Sequence, residues 1–332
     1  MVFPRPHLRS ITLAIVATAA ALGLGLSGCS SSGSAASGTV SGETRAVETH
    51  YGDIDVPVAP KRVVAVSYDT PWQLRSIGVK PVGVQDYSAY VGQFTPDATA
   101  SVKGIPTIGA FFSLDLESVA AAKPDLIVGD ALEIDDELYK KLSAIAPTTI
   151  FSADYRGDWR TIGTGVADAV NKSAAFDTLA GQYDERAKEI TTTYSSVLTG
   201  KRWAGVSEGE SADGFSILYP TGVLGALWFK DLGATLAPGV PESNANGFEF
   251  ISGELTTTVL GEADVIVAPA DADGSLNPTI TAVKDAPLFS QLPAVTADNM
   301  YWVYSTVTDY ASALEWLDRV EADVLKPLSA KG

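Results

Sequence analysis

The stretch DWRTIGTGVADAVNKSAAFDTLAGQYDERAKEITTTYSSVL, residues 158–198, decides the fold. It contains no proline, its apolar side chains recur at helical spacing, and Asn171-Lys172-Ser173 is its one break. Val166, Val170, Phe176, Leu179, Tyr183 and Ala187 fall on one stripe, which predicts a short helix followed by a long one. On either side the texture is different. Before it, Val63 to Ser67 reads as a strand and Thr70 to Ile77 as a helix stopped by Gly78. Strands follow at Pro81–Val84 and Ile105–Ile108, a helix at Leu114–Ala122, a strand at Asp125–Gly129, an amphipathic stretch at Ile134–Ile145 and a strand at Thr148–Phe151. After it come strands at Trp203–Ser207 and Phe215–Tyr219, a helix at Val223–Leu232, strands at Asp264–Ala268 and Met300–Tyr304, and a closing helix at Tyr310–Leu325. Short apolar strands alternating with helices imply βα units and largely parallel sheets buried on both faces. The expected class is therefore α/β, two Rossmann-like lobes with mostly parallel sheets joined by one long helix. The expected limits are residues 51–157 and 200–332 for the lobes and 158–199 for the connection.

The chain has 332 residues and 46% apolar content, enough for two folded units. A formal charge of −17 argues against a nucleic-acid phosphate backbone as partner. One Cys permits neither an internal disulfide nor a Cys-based zinc cluster.

That Cys has another reading. Arg5, His7 and Arg9 form a positive head, and Ile11 to Leu26 is an apolar run of about 16 residues, long for a signal core and short for a membrane span. The run ends in Leu26-Ser27-Gly28-Cys29, which resembles the bacterial lipoprotein box, in which the Cys thiol is acylated and becomes the new N-terminus. Residues 1–28 are then a signal peptide. Residues 29–50, opening SSSGSAASGTVSG after Cys29, are read as a flexible Gly/Ser linker. Gly23 to Gly28 matches a dinucleotide-binding G-x-G-x-x-G, but no strand and helix of a βαβ unit surround it. Removing residues 1–28 takes away two basic side chains and no acidic ones, leaving a formal charge of −19.

The remainder resembles the lipid-anchored substrate-binding proteins of ATP-driven importers for iron-siderophores, haem and cobalamin. The resemblance spans about residues 51–328. It is carried by Pro60-Lys61-Arg62-Val63-Val64-Ala65, by Ile77-Gly78-Val79-Lys80-Pro81-Val82-Gly83, by Ile108-Gly109 followed by Leu114-Asp115-Leu116-Glu117, and by Lys123-Pro124-Asp125-Leu126-Ile127. It implies a ligand cleft between the two lobes, capture outside the cell, and delivery to an ABC importer permease without catalysis. It also implies one exposed Glu on each lobe to meet permease arginines; the matching positions are Glu117 and Glu254. A carboxylate near a helix start is favoured by the helix dipole as well, by about 0.3–1 kcal/mol. The localisation implied is the extracytoplasmic face of a cell membrane, lipid-anchored through Cys29, with the protein a monomer.

Histidine content limits the chemistry. His7 leaves with the signal and His50 lies at the linker's edge, so the lobes are expected to hold no imidazole. Ser-His-Asp and Cys-His sites cannot then be assembled, nor a His/carboxylate cage for a bare ion. Iron would have to arrive wrapped in a chelator, so no resident cofactor and no protein-held metal are expected. The cargo is read as an iron(III)-siderophore, with haem or a cobalamin as the alternatives within the family. A secreted carboxylate-dependent enzyme and a scaffold with an empty cleft are the alternatives of other classes.

Ligands of parallel α/β sheets bind beyond the C-terminal strand ends, and aromatic rings offer area at small entropy cost. The candidates are Tyr68, Trp72, Tyr87, Phe111 and Phe112 in the first lobe, Arg156 and Trp159 near the crossover, and Phe215, Tyr219 and Trp302 in the second. Few basic residues stand near these loops, which favours a neutral or weakly charged hydroxamate-type complex over a triscatecholate.

Overall fold

The computed structural model describes residues 42–331, apart from Arg156, residues 210–213 and Asn277. The signal peptide and Cys29 lie outside the described residues, as does all of the Ser30–Val40 tract.

The chain enters through a hairpin, β1 (Thr44–Thr49) and β2 (Gly52–Pro57), paired antiparallel from Thr44–Pro57 to Thr49–Gly52. This corrects the linker's expected end at residue 50. Val47 is the only fully buried side chain of β1, so the strand has almost no apolar signature. It is held instead by its ladder and by Arg45, which pairs with Asp168. His50 belongs to the folded body too: its N–H donates to the Ile150 carbonyl (2.8 Å) and its Nδ1 lies 3.2 Å from Ser152 Oγ.

Next come β3 (Val63–Ala65), α1 (Thr70–Ser76), α2 (Pro96–Val102), the two-residue strands β4 (Gly109–Ala110) and β5 (Ser113–Leu114), α3 (Leu116–Ala121), β6 (Leu126–Asp130), α4 (Asp136–Ser143) and β7 (Thr148–Phe151). β3, β6 and β7 form a parallel sheet in the order β3-β6-β7. The strands expected at 81–84 and 105–108 extend this sheet through single bridges, Val64–Gly83 and Val84–Thr107. Pro81 and Pro106 each lack an N–H, which limits the ladder there. Period-two alternation divides the sheet's faces: Val63, Ala65, Leu126 and Val128 enter one buried cluster, while Val64, Val66 and Ile127 enter another.

The deciding stretch forms α5 (Trp159–Ala169), α6 (Ser173–Thr193) and α7 (Ser195–Gly200). Asn171 adopts a left-handed backbone (φ 56°) between the first two, where the sequence shows its break. With 21 residues, α6 is about 31 Å long. Val166, Val170, Phe176, Tyr183 and Ala187 are all buried.

The second lobe contains β8 (Arg202–Glu208), β9 (Gly214–Leu218), α8 (Val223–Ala226), β10 (Thr235–Leu236), β11 (Phe248–Ser252), α9 (Thr256–Leu260), β12 (Val265–Ala270), α10 (Pro278–Asp285), α11 (Pro293–Thr296), β13 (Met300–Tyr304), α12 (Tyr310–Val320) and α13 (Lys326–Ala330). Its sheet runs β11-β9-β8-β12-β13, with β10 also on β8. β8, β10, β12 and β13 are parallel; β9 alone is reversed, pairing antiparallel with both β8 and β11. Asp309 caps α12, accepting from the N–H groups of Ala311 and Ser312, and π turns follow both α8 and α12.

One buried cluster runs from the first sheet (Val63, Val128) through the connecting helices (Phe176, Tyr183) to the second sheet and its last helix (Trp203, Val265, Trp316). The lobes are thus joined by continuous apolar packing as well as by chain.

Candidate ligand cleft

Seven rings cluster beyond the C-terminal end of β3. Tyr68 lies 5.4 Å from Tyr87, 5.8 Å from Tyr90, 5.8 Å from Phe94 and 5.4 Å from Phe111, centroid to centroid. Trp72 lies 4.4 Å from Phe94 and 5.1 Å from Tyr87, and Phe111 lies 4.4 Å from Phe112. Edge-to-face and tilted pairs of this kind are worth roughly 0.5–1.5 kcal/mol each beyond their burial. The Tyr87 hydroxyl donates to the Tyr68 carbonyl at 2.6 Å, and Glu133 accepts from the Tyr68 N–H at 2.6 Å and from Gln85 Nε2 at 2.8 Å. Burial raises both phenols, Tyr87 well above the usual tyrosine range, with the Asp69 charge adding to it. Both rings therefore keep their O–H near neutral pH.

The structure brings Tyr68, Trp72, Tyr87, Phe111 and Phe112 together, in two different situations. Trp72 and Tyr87 are buried supports, 2% and 6% exposed. Tyr68 and Phe111 are half-buried and Phe112 is 61% exposed. Tyr90, which stands beyond a strand end as Tyr87 does, and Phe94, which no sequence signal indicates, complete the group.

Two cavities are lined by residues of both lobes, and none of the seven rings is among their linings. One, of about 370 Å³, is lined by Asp69, Asp130 and Phe151 at the ends of the first sheet, by Asp154, Tyr155, Asp158 and Trp159 at the crossover, and by Ala245 and Asn246 of the second lobe. The other, of about 250 Å³, is lined by Gln93 of the first lobe and by Glu208, Asp271, Ser305 and Thr306 beyond the ends of β8, β12 and β13. The cleft is closed at two seams. Ala272 N–H donates to the Gly92 carbonyl at 3.2 Å, and Gly157 N–H donates to the Thr221 carbonyl at 3.1 Å. At the second seam only glycine fits: a Cβ on Gly157 would stand 2.6 Å from the Thr221 oxygen and the Val223 nitrogen.

Trp159 lines the larger cavity from a buried position. Arg156 lies outside the described residues. In the second lobe the aromatic expectation needs correction. Phe215 and Tyr219 are 1% and 0% exposed in the lobe's own core, where the Tyr219 hydroxyl donates to Glu249 at 2.7 Å. Trp302 packs against the same core. These rings occupy strand positions whose alternation points them into the sheet's covered face, and the cleft level is left to the polar residues past the strand ends. Of the polar lining, Asp130 and Glu208 stand at strand ends, where chain position points to ligand contacts; Asp154 has a similar position, and nothing local indicates Asn246.

Glu117 is exposed in the first turn of α3, beside the capping Asp115. Glu254 is exposed in the one-turn helix before α9, at the rim of a recess of about 400 Å³ lined by Phe215, Val283 and Leu288. Among the described residues no cluster of three or more His, Cys, Asp or Glu side chains is placed to hold a metal ion. No helix among them is long and apolar enough to cross a membrane.

The profile of the periplasmic binding protein family matches residues 63–305, from β3 to just past β13. The chain belongs to that family. Among relatives of this periplasmic binding protein, the Bacillus subtilis protein named "Probable siderophore-binding lipoprotein YfiY" is 31% identical over 62% of this chain and 63% of its own length. The Fe(3+)-citrate-binding protein YfmC of the same organism is 26% identical over 83% of this chain and 84% of its own. Among solved structures, the siderophore periplasmic binding protein from the fuscachelin gene cluster of Thermobifida fusca superposes with a TM-score of 0.71 at 28% identity, covering 82% of this chain and 98% of that one. The alignment with the first of these relatives thus spans just under two thirds of its length.

Proposed function

We propose that this periplasmic binding protein captures an iron(III)-siderophore in the cleft between its lobes and delivers it to an ABC importer permease. The observation that carries the reading is the cleft itself: cavities of about 370 and 250 Å³ lined from both lobes by Phe151, Tyr155 and Trp159 and by polar residues at strand ends, with the ring cluster joined to the smaller one through the Tyr68 hydroxyl's hydrogen bond to Gln93. Flat apolar area for the chelate's ribs and a few polar groups for its edges is what a large, self-caged guest requires. Named relatives that bind siderophores or ferric citrate support the choice of cargo.

The reading makes the protein a carrier and not an enzyme. Glu117 and Glu254 would meet cations on the permease, and Cys29 would carry the lipid that holds a monomer on the outer membrane face, a placement that the lipoprotein name of one relative supports. Two acyl chains on one Cys meet the requirement for stable anchoring. The test is a ligand panel read by intrinsic fluorescence of the protein's six tryptophans. Ferric siderophores should quench saturably at micromolar concentration or below, and haem and cobalamins should not. Saturable quenching by a tetrapyrrole alone would overturn the assignment.

A further inference from the structure

The two cleft cavities carry more charge information than their shape does. Their linings contain six carboxylates and, among the described residues, no Lys or Arg. Two cations stand nearby among the described residues: Lys230, whose Nζ lies 4.1 Å from the centre of the Tyr155 ring, and Arg319, which donates to the carbonyl of Ala272 beside Asp271. Carboxylates still outnumber them three to one. Several of the acids have structural work: Asp158 caps α5, Asp130 accepts from Leu132 N–H, and Asp271 accepts from Ser275. Asp154 and Glu208 do not. Each is exposed at the end of a strand's run, one on each lobe, with no hydrogen bond or ion pair among the described residues. A second, uncharged feature points to a guest as well. Trp159 is 2% exposed, lines the larger cavity, and has its indole Nε1–H buried with no hydrogen-bond partner among the described residues, a donor that a guest's acceptor oxygen would satisfy.

We infer that the cargo is a chelate of neutral or positive net charge that carries a protonated amine, with Asp154 and Glu208 as its specificity-determining residues. A cleft of one charge sign attracts guests of the other and rejects those of its own. A ferric triscatecholate, with three net negative charges, would enter against this field. A ferric trishydroxamate is neutral at the metal, and an ammonium on its arm makes the complex cationic. This inference rests on the siderophore reading above.

The test titrates the purified protein by tryptophan fluorescence with three ferric probes. They are a linear trishydroxamate ending in a primary amine, the same chelate with that amine acetylated, and a triscatecholate. The amine probe should bind about tenfold more tightly than its acetylated form, with the preference shrinking as salt is raised. The triscatecholate should bind weakest. Asp154→Asn combined with Glu208→Gln should bring the ratio of the first two probes close to one; because both side chains are exposed, thermal melts should show the variant folded. Equal binding of the amine and acetylated probes to the unaltered protein, or tightest binding of the triscatecholate, would overturn the inference while leaving the siderophore reading intact. Failure of all three probes to bind would remove both.

Discussion

Gly157→Ala tests the seam that closes one side of the cleft. The added methyl would sit 2.6 Å from the Thr221 oxygen and the Val223 nitrogen, about 1 Å inside ordinary contact, and both are backbone atoms that cannot rotate away. Overpacking of this kind costs about 1–3 kcal/mol. The shift that relieves it also lengthens the 3.1 Å hydrogen bond from Gly157 N–H to the Thr221 carbonyl, worth about 1 kcal/mol. Against this, alanine lowers the entropy of the unfolded chain, which returns about 0.4–1 kcal/mol. The clash wins, and the net loss is about 1–3 kcal/mol, a fall in Tm on the order of 3–10 °C. Differential scanning calorimetry measures it, and Gly181→Ala supplies the opposite control. Gly181 lies within α6 with nothing within 4 Å of the added Cβ, so alanine there should raise stability by up to about 1 kcal/mol. An unchanged Tm for Gly157→Ala, or destabilisation of equal size by both substitutions, would refute the close approach of crossover and second lobe.

Other consequences can be checked separately. Replacing Cys29 with Ala should move the protein from the membrane fraction to the medium, read by fractionation and immunoblot; retention in the membrane would defeat the anchor. Glu117→Arg combined with Glu254→Arg should abolish uptake of labelled ferric chelate in cells while the purified variant binds it as before. Lost affinity would instead place those carboxylates in the cleft. Glu321 is held below the usual carboxylate range chiefly by its hydrogen bond with Arg186, with Tyr194 and Lys326 adding to it. A depressed carboxylate stabilises the fold above its unfolded value, roughly 4.3, and loses that contribution as pH falls through the lower folded one. Urea unfolding between pH 6 and pH 3 should therefore show a shallower acid decline in Glu321→Gln than in the unaltered chain. Equal declines would show that the pair contributes nothing.

Legibility varied along the chain for physical reasons. The strand at Met300–Tyr304 and the helical break at Asn171 were readable because apolar period and backbone preference are written locally. β1 was not readable, because its ladder partner and the Arg45–Asp168 pair hold it while only Val47 is buried. Within the site, Tyr68, Phe111 and Phe112 stand beyond strand ends as chain position indicates, yet Phe94, which touches Trp72, Tyr87 and Tyr68, comes from a segment with no strand signal.

By itself the sequence determined the α/β alternation, the helical connection and the near-absence of imidazole, since each is a property of residue type and spacing. Only the tertiary structure decided that Phe215 and Tyr219 are core, that Trp72 and Tyr87 are supports, and that exposed carboxylates from both lobes line the cleft. Which face a strand covers, and which distant segments share a cavity, depend on contacts between residues far apart in the chain, and no local pattern encodes those.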